Sequence, residues 1–394
     1  MTSRTAILIA ALLSGTAQAD DGLGLKRGGA ANDVSLSGVS AGAAMAVQYA
    51  VAHSASIVGV GAVAAPGWGC AEGRIAQAIN DCMCGRHAVD SKVATARALA
   101  GSKEGDIDPL PSGKPRALKR SYVFHSAGDA TVVAQPARAG IDFLASFTGA
   151  APVVDSGNPG DGSNQAGHGI ISPDGSDSCS GAASTYVRRC GAEDNAGKLF
   201  LALYGQGAAY DAGGRVNAIP AADVWQFDQQ PMIDAVKQDA GTIAADSLLF
   251  FMFPTKSLRR QNLDMASTGY LYVPPNCRRA GSQCAVHIAL HGCKQDAKNF
   301  ATTAGYNNWA EHYKVIVVYP ALAPDVPQAG ETCQVGPIPA IADASWIEPN
   351  PNGCWDWWGY LDSVGSGKNR YLTRKAPQMQ VIERIIAAVT APVR

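Results

Sequence analysis

Short runs of β-branched and aliphatic residues recur along the chain at Val34–Leu36, Ile57–Ala64, Tyr122–His125, Thr268–Val273, Val286–Leu290 and Val315–Tyr319, and each reads as a strand. Several of these runs lead into glycine-containing turns. Between them, helical patterns fall at Ala43–Ala52, Ile75–Ile79, Ala297–His312 and Pro377–Val389. Strands that alternate with helices predict an α/β fold on a mainly parallel central sheet flanked by helices. Ser172–Asp264 is less regular and reads as a candidate insertion, residues 172–264, that would shape or cover a site. No tandem repeat and no Ser/Thr- or Pro-rich linker interrupts the rest, so residues 20–394 read as one domain without a separate binding module.

The first residues stand apart from this pattern. Arg4 makes a weak basic start, Ala6–Leu13 is an apolar run and Ala17-Gln18-Ala19 fits a small-residue cleavage site, so residues 1–19 read as a signal peptide. The run is too short to span a bilayer, and no later stretch reaches about 18 uninterrupted apolar residues. The expected mature chain is therefore secreted, to the periplasm or the medium, without a membrane anchor.

Composition narrows the function classes. Of 394 residues 47% are hydrophobic and 16% charged, too apolar for a disordered chain. The 32 basic and 33 acidic residues nearly cancel, which leaves no footprint for nucleic acid. Ten cysteines in an exported chain read as disulfides. Cys179/Cys190 and Cys277/Cys284 are local candidates, and the other six allow 15 connectivities. Cys82-Met83-Cys84 has the wrong spacing for the usual zinc or thioredoxin-type pair, so no metal is expected.

Candidate chemistry begins at Gly38-Val39-Ser40-Ala41-Gly42, which follows the strand Val34–Leu36 and enters the helix Ala43–Ala52. A serine at a sharp strand-to-helix turn is lifted above the sheet and set at a helix N-terminus, where N–H groups and the helix dipole stabilise a developing oxyanion. The ordinary alternative is a pair of turn glycines in a glycine-rich chain. Such a serine needs a histidine to take its proton and a carboxylate to orient that histidine. Of seven histidines, His53 and His312 lie in helical patterns, His287 lies inside a strand, and His87 has no obvious partner. His168 lies between glycines at the end of the loop Gly160–Gly169, where a general base would be presented. Asp129 lies in the turn after Tyr122–His125, with Asp155 and Asp161 as competing acids. The order Ser40, Asp129, His168 is that of the α/β-hydrolases.

Val286–Leu290 ends in His291-Gly292-Cys293, similar to the His-Gly turns that supply an oxyanion N–H in lipases and esterases, or else simply a tight turn. In those enzymes this turn precedes the nucleophile, whereas here it follows by about 250 residues. A circular permutation of the α/β-hydrolase order accounts for the inversion. It requires the helix Pro377–Val389 to pack beside Val34–Leu36 and brings the chain termini close together.

Together, Ser37-Gly38-Val39-Ser40-Ala41-Gly42, Tyr270-Leu271-Tyr272-Val273-Pro274-Pro275-Asn276-Cys277, Leu290-His291-Gly292-Cys293 and Asn352-Gly353-Cys354-Trp355-Asp356-Trp357-Trp358 resemble the poly(3-hydroxybutyrate) depolymerases, and the permuted order resembles their single-domain, fungal type. The resemblance implies a secreted serine esterase acting on poly(3-hydroxybutyrate) or its oligomers, without metal or organic cofactor. It implies Ser40 as nucleophile, Asp129 as acid and His168 as base. The backbone N–H groups of Ala41 and Cys293 would form the oxyanion hole. Trp357 and Trp358 are candidate substrate contacts through apolar packing on the polyester, with core packing around Cys354 as the alternative. No nucleic-acid or membrane partner is expected, and the chain is taken as a monomer. A feruloyl or acetylxylan-type carbohydrate esterase is the competing enzyme, and a non-catalytic exported polymer-binding protein the competing class.

Overall fold

Residues Val34–Val39 are almost wholly buried although successive side chains point to opposite faces, the pattern of a strand covered by helices on both sides. The computed structural model describes residues 29–109, 118–205, 207–239, 263–279, 281–323, 333, 350, 352–362 and 370–391. The expected signal peptide lies outside the described residues. In chain order the strands are β1 (Gly29–Val39), β2 (Ile57–Val63), β3 (Arg120–Phe124), β4 (Val153–Asp155), β5 (Ile170–Ile171), β6 (Asp177–Ser178), β7 (Val187–Arg189), β8 (Val224–Asp228), β9 (Thr268–Tyr272), β10 (Cys284–Leu290) and β11 (Val315–Tyr319). The longer helices are α1 (Ala41–Ala52), α2 (Ser91–Glu104), α3 (Ala134–Thr148), α4 (Asn195–Tyr204), α5 (Gln230–Asp239), α6 (Ala297–Thr303), α7 (Tyr306–Tyr313) and α8 (Pro377–Thr390).

One sheet runs β4-β3-β2-β1-β10-β11-β9-β8, and β5, β7 and β6 form a small second sheet. From β4 to β11 all neighbours pair parallel, while β9 and β8 add an antiparallel edge. Renumbered as though the chain began at β8, the sheet reads 1-2-4-3-5-6-7-8. The sheet thus has the α/β-hydrolase strand order, with the chain opened ahead of β1. The permutation's own requirement is met, because a Cβ placed on Gly29 would lie 3.4 Å from the carbonyl oxygen of Val389. The two ends of the described chain meet beside β1.

The period-two alternation of the strands sorts the core into two layers. Leu36, Val60, Val123, Ile288, Leu290, Ile316 and Val318 face a layer completed by α1, α3 and α8. Val39, Val63, Tyr122, Phe124, Ala289 and Val317 face the other, completed by α4, α6 and α7.

Several expectations need correction. Ala297–His312 is not one helix: Gly305, at φ 91°, turns the backbone between α6 and α7. Ile75–Ile79 is a single α-turn that widens into a π-helical turn over Ala78–Met83. Helices α2 to α5 and strands β4 and β8 had no counterpart in the sequence pattern. Within 172–264, β8 joins the main sheet and α4 packs on β2 and β3, while residues 240–262 lie outside the described residues.

All ten cysteines pair, with Cys179–Cys190 and Cys277–Cys284 as expected and the other six as Cys70–Cys82, Cys84–Cys333 and Cys293–Cys354. Such a set forms in an oxidising compartment.

Ile385, fully buried on α8, tests the seam of the permutation. Ile385→Ala is expected to cost about 2–5 kcal/mol in urea unfolding. A cost below about 1 kcal/mol would show that α8 contributes little to the core.

Candidate active site

The parallel registers place the C-terminal ends of four strands at one level: Gly38 lies opposite Leu290, Val39 opposite Val63, and Val63 opposite Phe124. Loops leaving that edge of an open α/β sheet are where such folds build sites. Ser40, Asp129 and the turn His291-Gly292-Cys293 all leave from it.

Ser40 takes φ 55° and ψ −120°, a conformation rare for a residue with a side chain, and caps α1. Its N–H donates to the Val63 carbonyl at 2.9 Å, and its own carbonyl accepts the first helical bond from Ala44 at 2.9 Å. The flanking glycines are required by space. A Cβ on Gly38 would lie 2.4 Å from the carbonyl carbon of Gly42, and one on Gly42 would lie 2.3 Å from the Leu290 carbonyl oxygen. The elbow is therefore pressed directly onto the end of β10. Ala41 occupies the first helical position, whose N–H has no intrahelical acceptor.

Asp129 divides its carboxylate between anchoring and chemistry. Oδ1 accepts the backbone N–H groups of Thr131 and Val132, both at 2.9 Å, and Oδ2 takes His168 Nδ1 at 2.8 Å. Burial alone would raise the Asp129 pKa, but His168 and the two N–H donors outweigh it and hold the carboxyl below its ordinary value. The ionised acid makes Nδ1–H the donor, which leaves Nε2 as the lone-pair nitrogen, as a general base requires. Both side chains are buried. The competing acids are engaged elsewhere: Asp155 takes the Tyr122 hydroxyl at 2.8 Å and Lys198 at 3.1 Å, and Asp161 caps the Ser163 N–H at 2.9 Å.

The other histidines stay outside this pair. His287 lies in the core between Ser35 and Ser37, where burial pushes its pKa down to about 3. His87 does have a partner, Asp81, at 2.7 Å on the surface.

The segment bearing His168 is braced from behind by residues that no sequence pattern marks. Buried Arg188 donates to the carbonyls of His168 at 2.8 Å, Ser178 at 2.9 Å and Gly181 at 3.1 Å. Asp177 gathers the N–H groups of Ser184, Thr185 and Tyr186, and the Tyr186 ring stands edge-on to His168 at 6.1 Å. Ser126 and Ala127 tie the Asp129 turn to the carbonyls of Ala166 and Asn164 at 2.5 and 2.9 Å.

The turn after β10 is fixed with equal care. Buried His291 bonds through Nδ1 to the Gly292 carbonyl at 2.8 Å, while its Nε2 accepts the Leu322 N–H at 3.2 Å. In a planar trans peptide the C=O and the following N–H point opposite ways, so holding the Gly292 carbonyl aims the Cys293 N–H. Cys293 is also bonded to Cys354, and the Trp355 indole N–H donates to the His291 carbonyl at 3.0 Å. Trp357 and Trp358 are buried with Ala41, Ala44, Cys82 and Tyr360, packing against the first turn of α1.

No family model matches the chain. A poly(3-hydroxybutyrate) depolymerase of Delftia acidovorans is 28% identical over 365 residues, covering 90% of this chain and 59% of that protein. This chain thus spans less than two thirds of that relative's length. A polyhydroxybutyrate depolymerase of Talaromyces funiculosus is 28% identical over 345 residues, 84% of each chain. Two solved structures superpose with a TM-score of 0.62 at 25% identity over 92% of this chain. One is the crystal structure of the Penicillium funiculosum PHB depolymerase, and the other a serine-to-alanine PHB depolymerase complexed with an R3HB trimer. Fold and site together define a permuted α/β-hydrolase with an elbow serine and a buried Asp–His pair. In sequence and in fold the chain is similar to poly(3-hydroxybutyrate) depolymerases.

The loop behind the elbow carries a pH-dependent element. Asp356 accepts the N–H groups of Gly359, Tyr360 and Leu361, yet burial, with Asp362 beside it, pushes its pKa up to about 8. A carboxyl raised in the folded state contributes stability that is full below about pH 4 and is lost as the pH rises through about 8. Melting temperature should therefore fall between about pH 4 and pH 8 and level off above, and Asp356→Asn should flatten that slope. An equal slope in the variant would assign the pH dependence to other groups.

Proposed function

We propose that this chain is an exported serine esterase that hydrolyses ester bonds of poly(3-hydroxybutyrate) or its oligomers, acting as a monomer. The observation that carries the reading is the His168–Asp129 hydrogen bond of 2.8 Å, at the strand ends where Ser40 holds the elbow conformation. The similarity to poly(3-hydroxybutyrate) depolymerases, one of them complexed with an R3HB trimer, supports the substrate class.

In this mechanism His168 Nε2 takes the proton of Ser40 Oγ as the oxygen attacks the ester carbonyl. The tetrahedral oxyanion is met by the N–H groups of Ala41 and Cys293. Collapse breaks the C–O bond of the ester, and His168 returns its proton to the departing alcohol end of the chain. A 3-hydroxyacyl group is left on Ser40. Water, deprotonated by His168, then attacks the acyl carbon, and the second tetrahedral intermediate releases the acid and restores the Ser40 hydroxyl. Asp129 keeps the imidazole in the required tautomer and stabilises its charged form. Trp357 and Trp358 belong to the buried apolar cluster that contains Ala41, and would offer the methyl and methylene groups of the polyester an apolar contact beside Ser40.

The test is release of 3-hydroxybutyrate monomer and dimer from amorphous polymer and soluble oligomers, followed chromatographically. Ser40→Ala should lower release at least about a thousandfold with the fold intact. His168→Ala should lower release comparably, and a His168→Ala chain that releases product at the rate of the unaltered chain would remove His168 from the mechanism. Ser40-dependent turnover of aryl-sugar esters without release of hydroxybutyrate would transfer the reading to the carbohydrate esterases.

A further inference from the structure

The oxyanion turn and the segment behind the base belong to different parts of the chain, and one side chain joins them. Gln295 is 4% exposed and lies at the start of the loop into α6. Its Oε1 accepts the Gly292 N–H at 2.5 Å, and its Nε2 donates to the Thr185 carbonyl at 2.7 Å. The amide orientation follows from the partners, since a backbone N–H can only donate and a carbonyl can only accept. The backbone N–H of Gln295 also returns to the Gly292 carbonyl at 3.4 Å.

Each end of this bridge touches the machinery. On one side Gly292 packs onto the elbow: a Cβ there would lie 3.1 Å from the Val39 carbonyl oxygen and 3.4 Å from Ser40 Cβ. On the other, Thr185 precedes Tyr186, whose ring meets His168 and whose carbonyl accepts the Ile170 N–H at 3.0 Å. The bridge therefore spans from the turn carrying the Cys293 N–H to the wall against which His168 rests.

We propose that Gln295 is a positioning residue for ester hydrolysis, setting the Gly292-Cys293 turn in register with the segment that supports His168. The role rests on the acyl-transfer reading above. A carboxamide is the side chain that presents an acceptor and a donor at this reach without charge. Leucine would leave a buried N–H and a buried carbonyl without partners, and glutamate would lose the donor and place a negative charge beside the oxyanion. Oxyanion stabilisation depends on the donors being aimed before charge develops, so a relaxed turn costs transition-state binding more than ground-state binding.

The test compares the full chain with Gln295→Leu and Gln295→Glu, disulfides intact, on a soluble p-nitrophenyl butyrate probe. A fluorophosphonate titration counts the competent sites, and Ser40→Ala serves as the blank. Per titrated site, kcat is expected to fall about ten- to a hundredfold in the leucine variant and further in the glutamate variant, with KM within about threefold. A purely structural role would lower the melting temperature and the number of titrated sites while kcat per site stayed at the wild-type value, and that result overturns the proposal. If the leucine variant does not fold, the near-isosteric glutamate variant decides by the same readout. Wild-type chain without Ser40-dependent turnover would sink the esterase reading itself, whereas active wild type with fully active Gln295 variants sinks this inference alone.

Discussion

Everything at the site hangs on one backbone constraint, the turn of the chain at Ser40. A residue with a side chain at φ 55° and ψ −120° is held there at a cost of about 1–3 kcal/mol, and it persists only where the surroundings leave no alternative. Here β1 lies between β2 and β10 in parallel register, the Ser40 N–H is claimed by Val63, and Gly42 lies against the Leu290 carbonyl. No relaxation of the turn is available without separating α1 from β10. The same constraint explains the composition of α1. All twelve of its residues are buried, which suits the alanine-rich Ala41–Ala52, a helix with no polar face to give to water.

Because Asp129, His168 and the Gly292-Cys293 turn sit on loops rather than on strands, the accuracy of their placement has to come from cross-links. The structure supplies them in two groups. Arg188, Asp177 and the Cys179–Cys190 disulfide stiffen the wall behind His168. The turn after β10 is held by the Cys293–Cys354 disulfide, Trp355 and His291. Arg188 is buried and donates to the carbonyls of His168, Ser178, Cys179 and Gly181, an arrangement in which loss of the guanidinium would leave several carbonyls unsatisfied at once.

What the sequence made legible follows from what leaves a local pattern. Buried parallel strands leave runs of β-branched residues, and the boundaries of β11 and the start of β2 and β9 fall where those runs begin. The elbow leaves glycines at fixed spacing, and Ser40, Asp129 and His168 leave their chain order. The two short-range disulfides leave close cysteines, whereas Cys84–Cys333 spans 249 residues and leaves nothing local. Gln295, Arg188 and Asp177 leave no such mark for a different reason. Their partners are largely backbone N–H and carbonyl groups, which have no letter in the sequence. Strand β8 escaped notice because only Phe227 of its five residues is buried, as an edge strand allows.

The permutation has a physical meaning beyond bookkeeping of strand order. Opening the chain ahead of β1 places both described ends by Gly29 and Val389, at the start of the strand that finishes at Ser40. The eleven residues of β1 separate Gly29 from Ser40, on the order of 30 Å of chain. The seam thus lies at the opposite end of the sheet from every group proposed to act. Since the relations among Ser40, Asp129, His168 and the 291–293 turn are fixed by lateral strand register and loop cross-links, none depends on which peptide bond was opened to begin the chain. That is why these groups can be brought together from the two ends of the sequence in inverted order, with Ser40 arriving first and the 291–293 turn last.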